Sequence, residues 1–260
     1  MSTATAAEPV ARRVEHVMGM PVSVALRGRH TRDGPADAAW AAVLAVLREA
    51  DRMFSTYRAD SVVSAIRRGE LAVTDAPAEV HEVLAVARRA ERATDGAFSV
   101  WRPGPDGAPA LDPSAVVKGW AVERAAAALV ALADTDFCLS AGGDMVCRAV
   151  HGPPWRVGIE DPQDPARLLA AVPVADAAVA TSGTAHRGAH LVDARTGERP
   201  VAVAQVTVIA SSLTWADVDA TAAYALGEQA ARWLGRRVGR TGLVVWADGT
   251  TTTTESPTRR

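Results

Sequence analysis

Two short stretches of this sequence carry residue types that can engage a phosphate. In LTWADVDAT (213–221), Asp217 and Thr221 stand four residues apart, which on a helix places a carboxylate and a hydroxyl on one face. That pair offers two oxygen ligands to Mg²⁺, which seeks oxygens and takes few protein carboxylates. An equally physical reading is an acidic first turn, with Asp217 and Asp219 complementing the helix dipole. In DPSAVVKGW (112–120), Asp112 followed by proline marks a helix start. Free N–H groups and a positive dipole end make such a start receptive to phosphate oxygens. Lys118, six residues on, adds a point charge for a phosphate or a ligand carboxylate. The plainer reading is a capping aspartate and a solvated lysine.

Weaker signals lie between and beyond these stretches. The turn SAGGDM (140–145) permits close backbone approach at Gly142 and Gly143, or simply joins two strands. Thr181-Ser182-Gly183 follows an expected strand, and His186 and His190 lie close behind as possible bases or structural histidines. Cys138 and Cys147 read as small buried hydrophobes beside a turn rather than as a redox pair or metal site. No GxGxxG, GxxxxGK[ST], HExxH or GxSxG occurs, so the common dinucleotide, nucleoside-triphosphatase, zinc-protease and serine-hydrolase motifs are absent.

The elements that must position these residues alternate irregularly. A strand over 21–26 precedes apolar-striped helices over 36–54 and 77–93. A Pro/Gly-dense loop at 101–110 forms a seam between halves. A helix from Asp112-Pro113 to about 132 comes next. Short strands then follow at 137–139, 145–148, 155–159, 169–174, 178–181, 201–210 and 243–246. A brief helix at 164–169 and a long one at 214–237, broken near Gly227, interrupt them. This order predicts an α+β fold of mixed or antiparallel sheets with packed helices. One domain over 10–249 is expected, between loose tails at 1–9 and 250–260. The 260 residues carry a formal net charge of −2, which excludes non-specific nucleic-acid binding through a polycationic face. With no apolar run long enough for a membrane span and no signal-like segment, a cytoplasmic protein is expected.

Taken in order, several segments resemble the FAD:protein FMN transferases, the ApbE-type flavin transferase family. They are Met18-Gly19, FSTYRADSVVSAI (54–66), TDGAFS (94–99), DPSAVVKGWAVERA (112–125), SAGGDM, WRVGIEDP (155–162), AVATSGT (178–184), HLVDARTG (190–197) and VTVIASSLTWADVDATAAYALG (206–227). The resemblance implies an ApbE-like fold with FAD in a central cleft between the two halves. It implies Mg²⁺-dependent transfer of FMN from FAD to a Ser or Thr hydroxyl of an acceptor flavoprotein, releasing AMP. Mg²⁺ would be held by the Ala115 carbonyl, Asp217 and Thr221. FAD would lie against Met18, Tyr57, Ala97, Phe98, Ser99, Asp112, Lys118 and His190, with His190 and Asp217 catalytic. Three positions depart from the family pattern: Met20 replaces a usual Thr, Ser99 the Asp of AFD, and Ala194 the proline of DPxTG. The interval from Thr181 to His190 is also short. Two further readings share the same segments: an FAD pyrophosphatase giving FMN and AMP, and a non-catalytic flavin-binding protein.

Overall fold

A computed structural model describes residues 10–104, 107–183 and 191–255. The chain opens with an antiparallel pair, β1 (Ala11–Val17) and β2 (Met20–Gly28), turned at Met18 and Gly19, both at positive φ. Helix α1 (Gly34–Phe54) is capped by Asp33, whose side chain accepts the Ala36 N–H. Two further helices, α2 (Val62–Arg67) and α3 (Ala78–Ala93), lead to a hairpin of β3 (Trp101–Pro103) and β4 (Pro109–Leu111). Then come α4 (Ser114–Val130), β5 (Thr135–Ala141), β6 (Asp144–Arg148), β7 (Trp155–Asp161), β8 (Asp164–Val174) and β9 (Asp176–Gly183). The last elements are β10 (Val203–Ala210), α5 (Leu213–Ala225), α6 (Ala230–Leu234), β11 (Thr241–Trp246) and β12 (Thr251–Glu255).

The α+β class stands. One antiparallel sheet runs β1-β2-β5-β6-β9-β10-β11-β12, and β7 pairs with β8 apart from it. Helix α4 packs between α1 and α5, and α5 lies on β9 and β10. That position explains its composition. Every residue of α5 except Trp215 is buried, so it is apolar nearly all round and shows little helical amphipathicity. One main hydrophobic core extends from Val17 to Val244, while Cys147, Val157, Val174 and Val179 form a smaller cluster under the β7–β8 hairpin.

Four expectations are corrected. The Pro/Gly-dense loop at 101–110 contains the β3–β4 pairing, Trp101 opposite Leu111. The expected helix at 164–169 is part of β8; Asp164-Pro165 resembles a helix start, but pairing with β7 overrides it, and Leu168 lies over the bare Cα of Gly158. The closing residues from 250 are not all a loose tail, because 251–255 form an edge strand on β11. Its threonines suit an extended backbone without needing an apolar anchor, and Thr252 Oγ1 accepts the Trp246 indole N–H. Asp112 is not the N-cap of α4: Pro113 occupies that position, and Asp112 sits one residue outside.

Candidate active site

Helices α4 and α5 come together at Gly119. A Cβ built there would fall 2.8 Å from the Leu213 carbonyl oxygen, 2.9 Å from Asp217 Cβ and 3.1 Å from Thr214 Cα. Only glycine permits this approach. The closeness lets the Gly119 N–H donate to Asp217 Oδ2 at 3.0 Å. In an undisturbed helix that N–H would serve the Ala115 carbonyl, four residues back. The Asp217 carboxylate engages instead a backbone donor of the facing helix. A polar connection across the helix pair thus arises from a residue with no side chain.

Around this contact lies a buried charge cluster. Lys118 Nζ pairs with Asp144 and sits 3.3 Å from Asp217 Oδ1. Asp144 is fully buried at the start of β6, just after the two-glycine turn at Gly142 and Gly143, both at positive φ. Its Oδ1 accepts the Thr181 N–H of β9 at 3.0 Å. On the next turn of α5, Thr221 Oγ1 shares a 2.9 Å hydrogen bond with Ser182 Oγ of β9. Burial pushes the Asp217 carboxyl up to about 7 against the pull of Lys118, and the Asp144 carboxylate adds to the push.

This donor set fits the expected Mg²⁺. Two carboxylates converge on one ammonium, so a divalent cation would find excess negative charge, and it would favour the ionised form of Asp217. Among the described residues, no three His, Cys, Asp or Glu side chains gather as a metal site, so carbonyl and hydroxyl oxygens would complete the coordination. Ala115 and Thr221 supply those oxygen types, and both line one small cavity. Ala97, Phe98, Ser99, Arg102, Leu191, Val192 and Ala225 complete its wall. The cavity therefore joins two of the three expected metal ligands, Ala115 and Thr221, to the expected flavin stretch.

Of the expected flavin contacts, Ala97, Phe98 and Ser99 line this cavity and Met18, Tyr57 and Asp112 do not. Asp112 is half-buried at the head of α4, its Oδ1 accepting the Ser114 N–H at 3.2 Å and the Ser114 hydroxyl. Ser99 Oγ accepts the Trp101 N–H at 3.1 Å. Met18 packs against the main core from the β1–β2 turn. Tyr57 is 98% exposed and does not line this cavity. His186 and His190 lie outside the described residues. In sequence Asp144 is only a weak turn signal and Ser182 carries none of its own; both act through neighbours distant in sequence. Cys138 and Cys147 face each other across β5–β6 as free thiols, Sγ to Sγ 3.5 Å, with Cys147 in the smaller core.

The arrangement of sheet and helices is that of solved flavin-transferase structures. It superposes on an ApbE protein from Thermotoga maritima with a TM-score of 0.80 at 19% identity, covering 95% of this chain and 97% of that one. The flavin transferase ApbE from Vibrio cholerae gives 0.78 at 21% identity, covering 95% and 98%. The sequence profile of the ApbE family matches residues 18–101 and 104–244, and the chain belongs to that family. A curated FAD:protein FMN transferase of Haemophilus influenzae is 24% identical over 250 residues, 72% of each chain. One from Vibrio cholerae is 32% identical over 132 residues, covering 46% of this chain but only 39% of its own length. The match thus spans about two fifths of that relative.

Proposed function

We propose that this protein transfers the FMN portion of FAD to a Ser or Thr hydroxyl of an acceptor flavoprotein, with release of AMP. The observation that supports the reading is the α4–α5 contact: Ala115 and Thr221 share a cavity wall with the Ala97–Ser99 stretch, and Asp217 lies buried one turn before Thr221, in a chain of the ApbE family. The acceptor oxygen would attack the phosphorus of the FMN phosphate. The bridging P–O bond breaks as the new P–O bond forms, and AMP leaves with the electron pair. The hydroxyl proton would pass to a base, a role the resemblance gives to His190. Lys118 and the helix start at Ser114 would meet phosphate oxygens as negative charge builds on them. Mg²⁺ held by Ala115, Asp217 and Thr221 would supply further charge stabilisation at those oxygens.

The cavity wall combines Ala97, Phe98, Leu191 and Val192 with the polar Ser99, Arg102 and Thr221; its apolar members would help keep water from the reacting phosphate, favouring transfer over hydrolysis. Incubation with FAD, Mg²⁺ and candidate acceptors, followed by acceptor mass and AMP measurement, tests the reading. An FMN-sized adduct with matching AMP is expected. AMP and FMN released equally without acceptor, and no adduct, would make the protein a pyrophosphatase instead. Tight FAD binding without AMP release would make it a flavin carrier. Localisation in the cytoplasm belongs to the same proposal; among the described residues, no helix is long and apolar enough to cross a membrane.

A further inference from the structure

Helix α5 begins in an unusual way. Ser212, its N-cap, accepts the Trp215 N–H in the ordinary manner at 3.3 Å. Its hydroxyl then donates to Glu123 Oε2 at 2.9 Å. The same oxygen accepts the Thr214 N–H at 2.9 Å and the Thr214 hydroxyl. One carboxylate oxygen from α4 thus gathers three donors at the first turn of α5, where free N–H groups and the dipole favour an anion.

Glu123 lies on the face of α4 that also carries Gly119 and Ala115, each four residues apart. These residues meet α5 in reverse order. Glu123 binds at 212–214, Gly119 abuts Leu213 and Asp217, and Ala115 shares a cavity wall with Thr221. The two helices are therefore antiparallel in register along three successive turns. Gly119 permits close approach but cannot by itself stop α5 from sliding or rotating. Glu123 pins its first turn, one turn from Asp217, while Lys118 and Ser182 hold it further along.

We infer that Glu123 is a positioning residue for the metal site: it fixes the register of α5 against α4, and so sets the Asp217 carboxylate and Thr221 hydroxyl relative to the Ala115 carbonyl. The inference rests on the proposed site, and it has a signature that a purely structural role lacks. Mg²⁺ demands near-ideal octahedral geometry at short distances, whereas Ca²⁺ accepts looser and variable coordination. A small register shift therefore harms Mg²⁺ binding more than Ca²⁺ binding.

The test is calorimetric titration of each metal alone into the full chain, with Glu123→Ala and Glu123→Gln beside the unaltered protein. In Glu123→Ala the Mg²⁺ dissociation constant is expected to rise about tenfold, as for other groups that orient metal ligands. The Ca²⁺ constant should move by a clearly smaller factor. Glu123→Gln keeps an acceptor oxygen and should recover part of the Mg²⁺ affinity, which keeps the test valid if the alanine variant folds poorly. Equal loss for both metals, tracking the fall in melting temperature, would overturn the inference and leave Glu123 as a structural cap. Unchanged Mg²⁺ affinity in both variants would overturn it too. Mg²⁺ binding that survives Asp217→Ala, or no binding of either metal by the unaltered chain, would remove the proposed site and this inference with it.

Discussion

The starts of α4 and α5 solve the same problem in opposite ways. At α4 the free N–H groups meet Asp112, two residues away from its partner Ser114 and half-exposed. At α5 they meet Ser212 locally, but also Glu123, 91 residues from Thr214. The first start takes its side-chain contact from its own tripeptide, and a backbone tie beyond it runs from the Asp112 N–H to the Val100 carbonyl, twelve residues back. The second exists in its observed register because another helix holds it. The difference carries through to the acidic residues each helix presents. Asp112 lies at the rim with a local partner, whereas Asp217 is 2% exposed and bound by Lys118 and by a backbone N–H 98 residues away. A ligand can engage the rim without disturbing the core. Any change in the interior must move two helices.

The largest expected effect tests the interior. Asp217→Asn keeps the volume but removes the charge that Mg²⁺ would need. AMP release from FAD should fall about a thousandfold, in the range for losing a group that stabilises transition-state charge. Melting temperature should hold or rise, since burial already works against the ionised form. An unchanged rate would sink the assignment of Asp217 to the metal.

A second long-range carboxylate, remote from the site, shows whether interior tethering alone produces such effects. Asp136 accepts the N–H groups of Val150, His151 and Gly152, and it pairs with Arg27, which also stacks 4.3 Å over Trp155. Burial opposes its ionisation, yet the three N–H donors and Arg27 outweigh burial and hold its pKa below the usual value. A folded pKa below the unfolded one, about 3.9, gives stability that is complete above that unfolded value. The same stability is lost as pH falls through the folded one. Asp136→Asn should cost about 3 kcal/mol in urea unfolding at pH 7, because it leaves Arg27 buried without its charge partner. The gap to the unaltered protein should narrow below about pH 4. A gap that stays constant with pH would refute the charge-based account, and transfer activity per folded molecule should be unaffected.

How much of this was legible in the sequence follows the same division. Helices α1 and α3 announce themselves by apolar stripes and end signals, and most strands of the second half by β-branched runs. Strand β1, ARRVEHV, does not: its charged, largely exposed residues are those of an edge strand, whose solvent face hides the alternation. Strand β12 has only threonine spacing to declare it. In the site, the four-residue step from Asp217 to Thr221 and the Asp112 turn are local and readable. Asp144, Ser182 and Glu123 are not, because their roles depend on β9 and α5 arriving beside them from distant parts of the chain. Glycine is the extreme case. Gly119 reads as an ordinary helix residue until the carbonyl of Leu213 stands against it.

That close contact makes the next prediction. Gly119→Ala introduces a methyl within 3 Å of backbone on α5, which cannot yield as a flexible side chain can. Overpacking of this kind should cost about 2 kcal/mol, despite the better helix propensity of alanine. Mg²⁺ affinity should fall together with stability, since the same separation pulls Asp217 from Ala115. Full stability in Gly119→Ala, read from thermal unfolding, would mean that the helices have more room than the comparison allows.

The smallest effect is the sharpest test of the rim. Asp112→Ala removes two hydrogen bonds that Ser114 makes two residues away, in a half-exposed turn. Pro113 still occupies the cap position, and its ring still fixes φ for the start of α4. Loss of a local polar contact in such a setting should cost no more than about 0.5 kcal/mol. Melting temperature should therefore scarcely change. If Asp112 faces FAD as the family resemblance implies, the dissociation constant for FAD, followed by flavin fluorescence, should shift several-fold while stability does not. A stability loss comparable to that of Gly119→Ala would erase the distinction between the two helix starts. In that case the head of α4 would also be held by contacts from distant parts of the chain, and its exposure would not make it free to adapt to a ligand.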